Sequence, residues 1–311
     1  MNMEEKKEHT DVYKTLRFLK HELENFGDIT RQLKPSSGEI PTLEGIDIYG
    51  EAIPFNGVAG GDHIIYIDFN KRYDLDLRIE EAQKNNRPEV VEKLLLNKRR
   101  AGVMVADASG HNITDALLAA MLHQAFLTGV QYELKHHGEV TVELFEILNS
   151  RFFNSSSLTK FITLIYGEIS DAGKFRFITA GHPLPIVFTN KDNRLIKVCF
   201  ERMYRFPPIG TLPSGEDVDC ERNFSRRGYK RKYSIHEINL MGPGDILLLY
   251  SDGFSEHRND QEVYYFSRRL QETLMRIKNG SAREIYSNLK DDLLQFAAPS
   301  DDLTFVVIKK I

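Results

Sequence analysis

The sequence predicts an α+β fold with a layered, sheet-on-sheet core covered by helices. Short apolar runs recur along the chain in groups that resemble antiparallel strands, and Ser170–Gly173 is a hairpin turn between two of them. Helical stretches lie between these groups, not between every pair of strands. Such an order favours stacked antiparallel sheets with helices on the outside.

Composition is that of a globular protein with a sizeable core. Of the 311 residues, 41% are hydrophobic and 28% charged, and the formal net charge is −4. This charge argues against a general nucleic-acid binder. The cysteines, Cys199 and Cys220, give neither a disulfide framework nor metal-ligand spacing. The charged start, Met1–Thr10, is not a secretory signal, and no apolar run is long enough to cross a bilayer, so we predict a cytoplasmic protein.

The N-terminal region is predicted to be a helical linker or regulatory segment, residues 1–40, before one larger domain, residues 41–311. Val12–Leu33 has apolar residues at helical spacing, namely Leu16, Leu19, Leu23 and Phe26. Lys34–Gly38 is a turn-rich break. The helix either docks on the domain or serves as a linker that forms a homodimer or transmits a signal.

Next come two predicted strands, Ile46–Ala52 and Ile64–Phe69, on either side of a glycine loop. The charged stretch Lys71–Arg100 follows, with intermittent apolar residues, and predicts two short helices. This insertion is either a structural excursion from the sheet, a binding element, or a flap beside the functional site.

The rest of the chain alternates between helices and strands. Val103–Ala106 is a buried strand, a strong apolar stripe from Thr114 predicts a long helix, and Val142–Phe153 predicts a second. Residues 264–296 form a further helical region. The remaining predicted strands are Phe161–Ile169, Lys174–Thr179, Ile186–Phe188, Leu195–Val198, Ile246–Tyr250 and Thr304–Ile308.

Acidic signatures stand at the ends of four predicted strands. Carboxylates that converge at one sheet edge suit Mg²⁺ or Mn²⁺, which prefer carboxylate and water oxygens, and two such ions can clamp a phosphoryl group. The alternative is four unrelated turn aspartates, because Asp favours turns. The signatures are Gly60-Gly61-Asp62, Ala106-Asp107-Ala108-Ser109-Gly110-His111, Ser251-Asp252-Gly253 and Asp301-Asp302-Leu303-Thr304.

In this order the signatures resemble those of the PPM-type phosphatases of the SpoIIE/RsbU family, bacterial serine/threonine phosphatases related to the eukaryotic PP2C enzymes. The resemblance covers roughly residues 40 to 311. Any one motif is weak, but the ordered set is specific. It also includes Ala116–Met121, Ala180-Gly181-His182-Pro183, Pro207-Pro208-Ile209-Gly210 and Gly244-Asp245.

The resemblance implies a four-layer α-β-β-α sandwich for residues 41–311, with a binuclear Mn²⁺ or Mg²⁺ site. It further implies hydrolysis of phosphoserine or phosphothreonine on a bacterial regulatory protein, such as a STAS-type anti-sigma-factor antagonist, by direct attack of metal-activated hydroxide. Asp302 is expected to support the ligands without touching metal. The implied catalytic metal ligands are Asp62, Asp107, Asp252 and Asp301, with the backbone carbonyl of Ala108.

Some residues leave alternatives open. Ile65 stands where the family often has a second acid, so a catalytically weak or inactive signalling scaffold is one rival, and a hydrolase of small phosphate esters is another. His111 is either part of a turn or a general acid, and His182 is interpreted as structural. The basic run between Arg222 and Lys232 is either a solvated loop or a docking site for an acidic or phosphorylated protein.

Overall fold

The computed structural model describes residues 3–32, 39–55, 60–110, 113–155, 160–197, 206–220, 222, 224–240, 242–266 and 268–311. The chain divides into two compact units, Met1–Lys34 and Pro35–Ile311. The predicted break Lys34–Gly38 lies outside the described residues.

The first unit contains one long helix, α1 (Met3–Gln32), which confirms the predicted helix and begins nine residues earlier than Val12. Its large apolar side chains are more than half exposed at Val12, Tyr13, Leu16, Phe18, Leu19 and Ile29. Among the helices described, α1 included, none combines the length and apolar composition that crossing a membrane requires.

The second unit contains two antiparallel sheets of five strands each. The first sheet has the order β1 (Ile46–Ile53), β10 (Leu303–Lys310), β9 (Ile246–Tyr250), β6 (Ile186–Thr189), β7 (Arg194–Lys197). The second has the order β2 (Asp62–Asp68), β3 (Arg100–Ala108), β4 (Ile162–Ser170), β5 (Lys174–Ala180), β8 (His236–Asn239). Every predicted strand is present with its ends within three residues, whereas β8 was not predicted.

Helices cover the outer faces of both sheets. The long helices α5 (Ile113–His136) and α6 (Val142–Ser155) pack on the second sheet. The predicted helical region 264–296 is two helices, α8 (Arg268–Ile277) and α9 (Ala282–Phe296), which pack on the first sheet. A single helical turn, α7 (Asp252–Ser255), follows β9.

The charged insertion contributes helices and buried residues to the core. It forms α2 (Phe69–Arg72), α3 (Leu75–Lys84) and α4 (Pro88–Asn97), so the two predicted helices are confirmed. Leu75, Ile79 and Leu94 are buried in the core under the second sheet. The insertion joins the end of β2 to the start of β3. These strand ends lie at the opposite end of the β2–β3 pair from Asp62 and Ala108. A flap beside those two residues is therefore excluded.

Three apolar cores separate four layers, which confirms the predicted α-β-β-α sandwich. One core lies between the second sheet and its helices, one between the sheets, and one between the first sheet and its helices. Successive residues of a strand point to opposite faces, so Val103 and Val105 enter the central core while Met104 and Ala106 face the helices. Burial on both faces explains why the strands are almost continuously apolar.

Candidate active site at one edge of the sheets

Acidic residues from both sheets lie at the same edge of the sandwich. Asp62 opens β2 and stands directly opposite Asp107, the penultimate residue of β3. Asp252 comes just after β9, and Asp301 just before β10, which is the antiparallel neighbour of β9. Each sheet thus contributes two of the sequence-predicted carboxylates.

Direct hydrogen bonds join the two sheets at this edge. The Ser251 hydroxyl donates to Asp62 Oδ2 at 2.7 Å, and Ser251 Oγ also accepts from the Thr304 amide at 3.3 Å. Asp302 Oδ2 accepts from the Asp62 amide at 3.2 Å, and its Oδ1 accepts from the Phe55 amide at 2.7 Å. Asp302 therefore uses both oxygens to fix backbone, as expected of a supporting residue.

The carboxylates raise one another's pKa. Burial, then the charge of Asp107, raises the pKa of Asp62 well above its usual value. Burial, then the charges of Asp252 and Asp301, raises the pKa of Asp107 to about 7. The pKa of Asp252 is also raised, by burial and then by Asp301. Such mutual repulsion is the signature of acids that a cation would stabilise.

Two glycines of the motifs allow segments to approach each other closely. A Cβ at Gly61 would lie 2.3 Å from the Ala108 carbonyl oxygen, and one at Gly253 would lie 2.0 Å from the Asp302 carbonyl oxygen. No side chain fits at either position without displacing backbone. The glycines therefore set how tightly the acidic loops converge.

The donor chemistry fits a hard divalent cation. All candidate donors are oxygens, they carry like charge at one edge, and small residues surround them. Within the described ranges, however, no group of three or more Asp, Glu, His or Cys side chains is arranged so that it could hold a metal ion as it stands. One reason is that Asp62 and Asp302 face the hydrogen-bond donors of the protein itself.

One cation at this edge was not anticipated from the sequence. Lys160 precedes β4, forms an ion pair with the fully buried Asp115 of α5, and donates to the Ser109 carbonyl at 3.2 Å. Asp115 is among the charges that raise the pKa of Asp107. Lys160 therefore ties the loop after Asp107 to the first turn of α5. No motif surrounds it, and only the folded chain reveals its partners.

A groove of about 500 Å³ opens beside Asp252, and its lining includes His182, Phe206, Tyr250 and Glu256. His182 Nδ1 lies 2.8 Å from the Thr163 hydroxyl oxygen, and burial lowers the pKa of His182 to about 3. His182 is therefore neutral and packed, in keeping with its predicted structural role. His111 and Cys199 lie outside the described residues.

The position expected for a second acid does not face the site. Ile65 is 2% exposed and packs in the core between the second sheet and its helices, whereas Asp62 reaches across to the first sheet. Residues three apart on a strand point to opposite faces. An acid at position 65 would thus lie behind the sheet, away from the other carboxylates.

The chain is similar to known phosphatases in sequence and in fold. It matches the family described as Stage II sporulation protein E (SpoIIE) over residues 97–310. It is 33% identical over 89 residues to the phosphoserine phosphatase RsbP of Bacillus subtilis (strain 168), which is 28% of this chain and 22% of RsbP. The chain thus matches about a fifth of the length of that curated relative.

Solved structures extend the similarity to the whole fold. The SiaA-PP2C domain of Pseudomonas aeruginosa superposes with a TM-score of 0.62 at 15% identity, over 95% of this chain and 98% of that domain. RsbX, solved in complex with magnesium, superposes with a TM-score of 0.52 at 13% identity, over 87% of this chain and 98% of RsbX. The family match covers more than half of the chain and shows that the chain belongs to the SpoIIE family, and the solved structures show that it has the fold of the PP2C phosphatase domains.

Proposed function

We propose that this chain is a divalent-metal-dependent phosphatase that hydrolyses phosphoserine or phosphothreonine on a regulatory protein. The observation that carries the proposal is the meeting of Asp62 and Asp107 with Asp252 and Asp301 at one edge of the two sheets. Membership of a phosphatase family agrees with it. Scattered turn aspartates, the alternative, have no reason to raise one another's pKa.

The metal would be Mn²⁺ or Mg²⁺, in two ions held by Asp62, Asp107, Asp252, Asp301 and the carbonyl of Ala108. The magnesium complex of RsbX supports this choice of ion. When bound, such ions neutralise phosphoryl charge and activate water, which is the chemistry that phosphate ester hydrolysis needs.

The protein's own groups would hold this edge in shape while substrate binds. Ser251 orients the Asp62 carboxylate from the opposite sheet, and Asp302 fixes the backbone of the first acidic loop. Lys160 fixes the second loop through Ser109. The groove beside Asp252 is open to a peptide segment next to the phosphorylated residue. Its neutral His182 adds no charge that would repel or trap that segment.

The substrate class follows from the relatives. RsbP is named as a phosphoserine phosphatase, and the family resemblance points to a phosphorylated STAS-type anti-sigma-factor antagonist. α1, with its exposed apolar residues, would form a homodimer that places the phosphatase under control of a signal or partner.

Replacing single acids tests the proposal. We expect Asp107→Asn and Asp252→Asn each to reduce Mn²⁺-dependent hydrolysis of a phosphoserine protein and of p-nitrophenyl phosphate by about 100-fold or more. Calorimetric titration with Mn²⁺ should show weaker binding in both variants, while Asp260→Asn, an exposed residue, should behave as native.

The same measurements separate the rivals. Undiminished turnover in both variants would contradict the proposed site. Tight Mn²⁺ binding by the native chain, without turnover of any phosphoprotein, would indicate the signalling scaffold. Rapid hydrolysis of nucleotides or small esters, with phosphoproteins untouched, would indicate the small-ester hydrolase.

A further inference from the structure

The basic run between Arg222 and Lys232 is divided by the fold into two groups with different surroundings. Lys230 is buried: its Nζ lies 2.7 and 2.8 Å from the two carboxylate oxygens of Glu146 on α6. The two side chains are 2% and 7% exposed. Lys232 pairs with Glu143 on the same helix at 2.6 Å, at the surface. The solvated-loop interpretation is therefore wrong for Lys230, which is an anchor.

The anchor has further contacts that extend to the groove beside Asp252. The Lys230 amide donates to the Pro213 carbonyl at 2.9 Å, and its ammonium lies 3.5 Å from the centroid of the Tyr233 ring. Tyr233 in turn packs edge-on against Phe206, with ring centroids 5.3 Å apart, and Phe206 lines the groove beside Asp252. The segment that carries the basic run is thus fixed at its base.

Above this anchor, Phe224–Tyr229 forms an exposed tight turn, which we call the basic turn. The Gly228 amide donates to the Ser225 carbonyl at 3.3 Å, and the Arg227 amide donates to the Ser225 hydroxyl oxygen at 3.3 Å. Gly228 has a φ of +86°, which favours glycine at the end of the turn. Arg226 and Arg227 therefore occupy its centre.

The turn presents cations beside exposed aromatic rings. Phe224 is 73% and Tyr229 46% exposed. Arg226, Arg227 and the adjacent Arg231 are also exposed, and none forms an ion pair with another residue that the structure describes. Although the net charge of the chain is −4, three guanidinium groups on one anchored segment thus face no carboxylate within the part of the chain that the structure describes.

We propose that the basic turn, with Arg231, docks an acidic segment of the phosphoprotein substrate. Guanidinium groups pair with carboxylates in a bidentate geometry, and exposed aromatic residues with arginine are the composition of protein interfaces. Because the cations are at the surface, they act on encounter and on salt dependence more than on the chemical step. The inference rests on the proposed function, because it names what the phosphatase recognises away from the phosphate.

The test reverses these charges and compares two phosphopeptides. One probe is a phosphoserine peptide with a run of Asp and Glu, and the other is the same peptide with Asn and Gln in their place. In the variant Arg226→Glu/Arg227→Glu/Arg231→Glu, kcat/KM for the acidic peptide should fall about tenfold or more, through KM, and should lose its salt dependence. Turnover of the neutral peptide and of p-nitrophenyl phosphate should stay unchanged.

A control variant changes the net charge by the same amount elsewhere. Lys84→Glu/Lys191→Glu/Arg268→Glu reverses three exposed cations outside the turn and should leave the preference for the acidic peptide intact. The proposal would be overturned if the ratio of kcat/KM for the acidic peptide to kcat/KM for the neutral peptide were the same in the native chain and the basic-turn variant. Equal losses in the two charge-reversal variants would also overturn it.

Binding separates this inference from the proposed function. Fluorescence anisotropy with the unphosphorylated acidic peptide should show binding to the native chain that the basic-turn variant loses, even if no substrate is hydrolysed. Duplex DNA or vesicles with anionic lipid that bind the native turn more tightly than the acidic peptide would overturn docking of a protein.

Discussion

At the scale of single residues, His182 offers a readout of how the site edge is packed. It is 6% exposed, and burial lowers its pKa to about 3. In the unfolded chain a histidine titrates near pH 6.5. As the pH falls below this value, His182 binds a proton in the unfolded state but stays unprotonated in the native state, which favours unfolding. The stability that depends on neutral His182 is therefore present above about pH 6.5 and is lost toward pH 3.

We predict that His182→Gln, which does not titrate, removes this part of the pH dependence. Between pH 8 and pH 5 the native chain should lose about 2 kcal/mol more unfolding free energy than the variant. Urea unfolding at each pH, followed by circular dichroism, measures the difference. His137→Gln, at an exposed position, gives the background, and a pH dependence unaltered by His182→Gln would contradict the prediction.

Residue types at strand ends made part of the site predictable. An Asp between an apolar run and small residues identified Asp62, Asp107, Asp252 and Asp301 as one set, and the fold brings them to one edge. The roles of Ser251 and Lys160 were not predictable, because their partners lie 189 and 45 residues away in the chain. A single Ser or Lys leaves no periodic pattern in the sequence from which such distant contacts could be predicted.

Ile65 shows how strand geometry corrects a motif comparison. The family resemblance places Ile65 at a position where the family often has a second acid. Because side chains alternate between the two faces of β2, Ile65 points into the core between the second sheet and its helices, where its side chain is 2% exposed. Its burial contributes to packing on α5, and its apolar character says nothing against activity at the opposite face.

At the scale of elements, most helices and strands have a clear apolar pattern in the sequence and were predicted from it, whereas elements without such a pattern were missed. β8 was not predicted because its four residues, His236–Asn239, are mostly polar and only half buried at a sheet edge. The division between α8 and α9 had a signal, the capping box of Ser281 and Glu284, in which the Ser281 hydroxyl oxygen accepts from the Glu284 amide at 3.2 Å. Apolar spacing on both sides of this box masked the break.

The ion pair that anchors the basic segment to α6 makes the next prediction. Lys230→Met should lower the unfolding free energy by about 3–5 kcal/mol, because it leaves the Glu146 carboxylate buried without its cation. Lys232→Met removes the surface ion pair to Glu143 of the same helix and should lower the unfolding free energy by only about 0–1 kcal/mol. Chemical unfolding of both variants makes the comparison.

A double variant separates charge from packing in this anchor. Glu146 also accepts from the Tyr233 amide at 2.6 Å, and Gln can keep that hydrogen bond without a charge. Lys230→Met/Glu146→Gln should therefore recover most of the stability lost in Lys230→Met. Equal costs for Lys230→Met and Lys232→Met would show that burial does not decide the strength of this anchor.

At the scale of the whole molecule, the layered order follows from how each strand is buried. Strands that are apolar on both faces need a layer on each side, and two such sheets require three interior spaces. The three cores fill these spaces, and their buried members run from Ile46 to Ile308. The sequence could indicate this layering but not the strand order, because β10 pairs with β1 from the far end of the chain.

Because all three cores belong to Pro35–Ile311, we predict that this unit folds without residues 1–34. Its thermal unfolding should remain a single cooperative transition. The full chain should be a dimer and the shortened chain a monomer at the same concentration, because α1 carries exposed apolar side chains that a second helix can bury. Sedimentation velocity distinguishes the two states. A full chain that sediments as a monomer, or a shortened chain that remains dimeric, would remove α1 as the dimerising element and leave residues 1–40 without their proposed regulatory role.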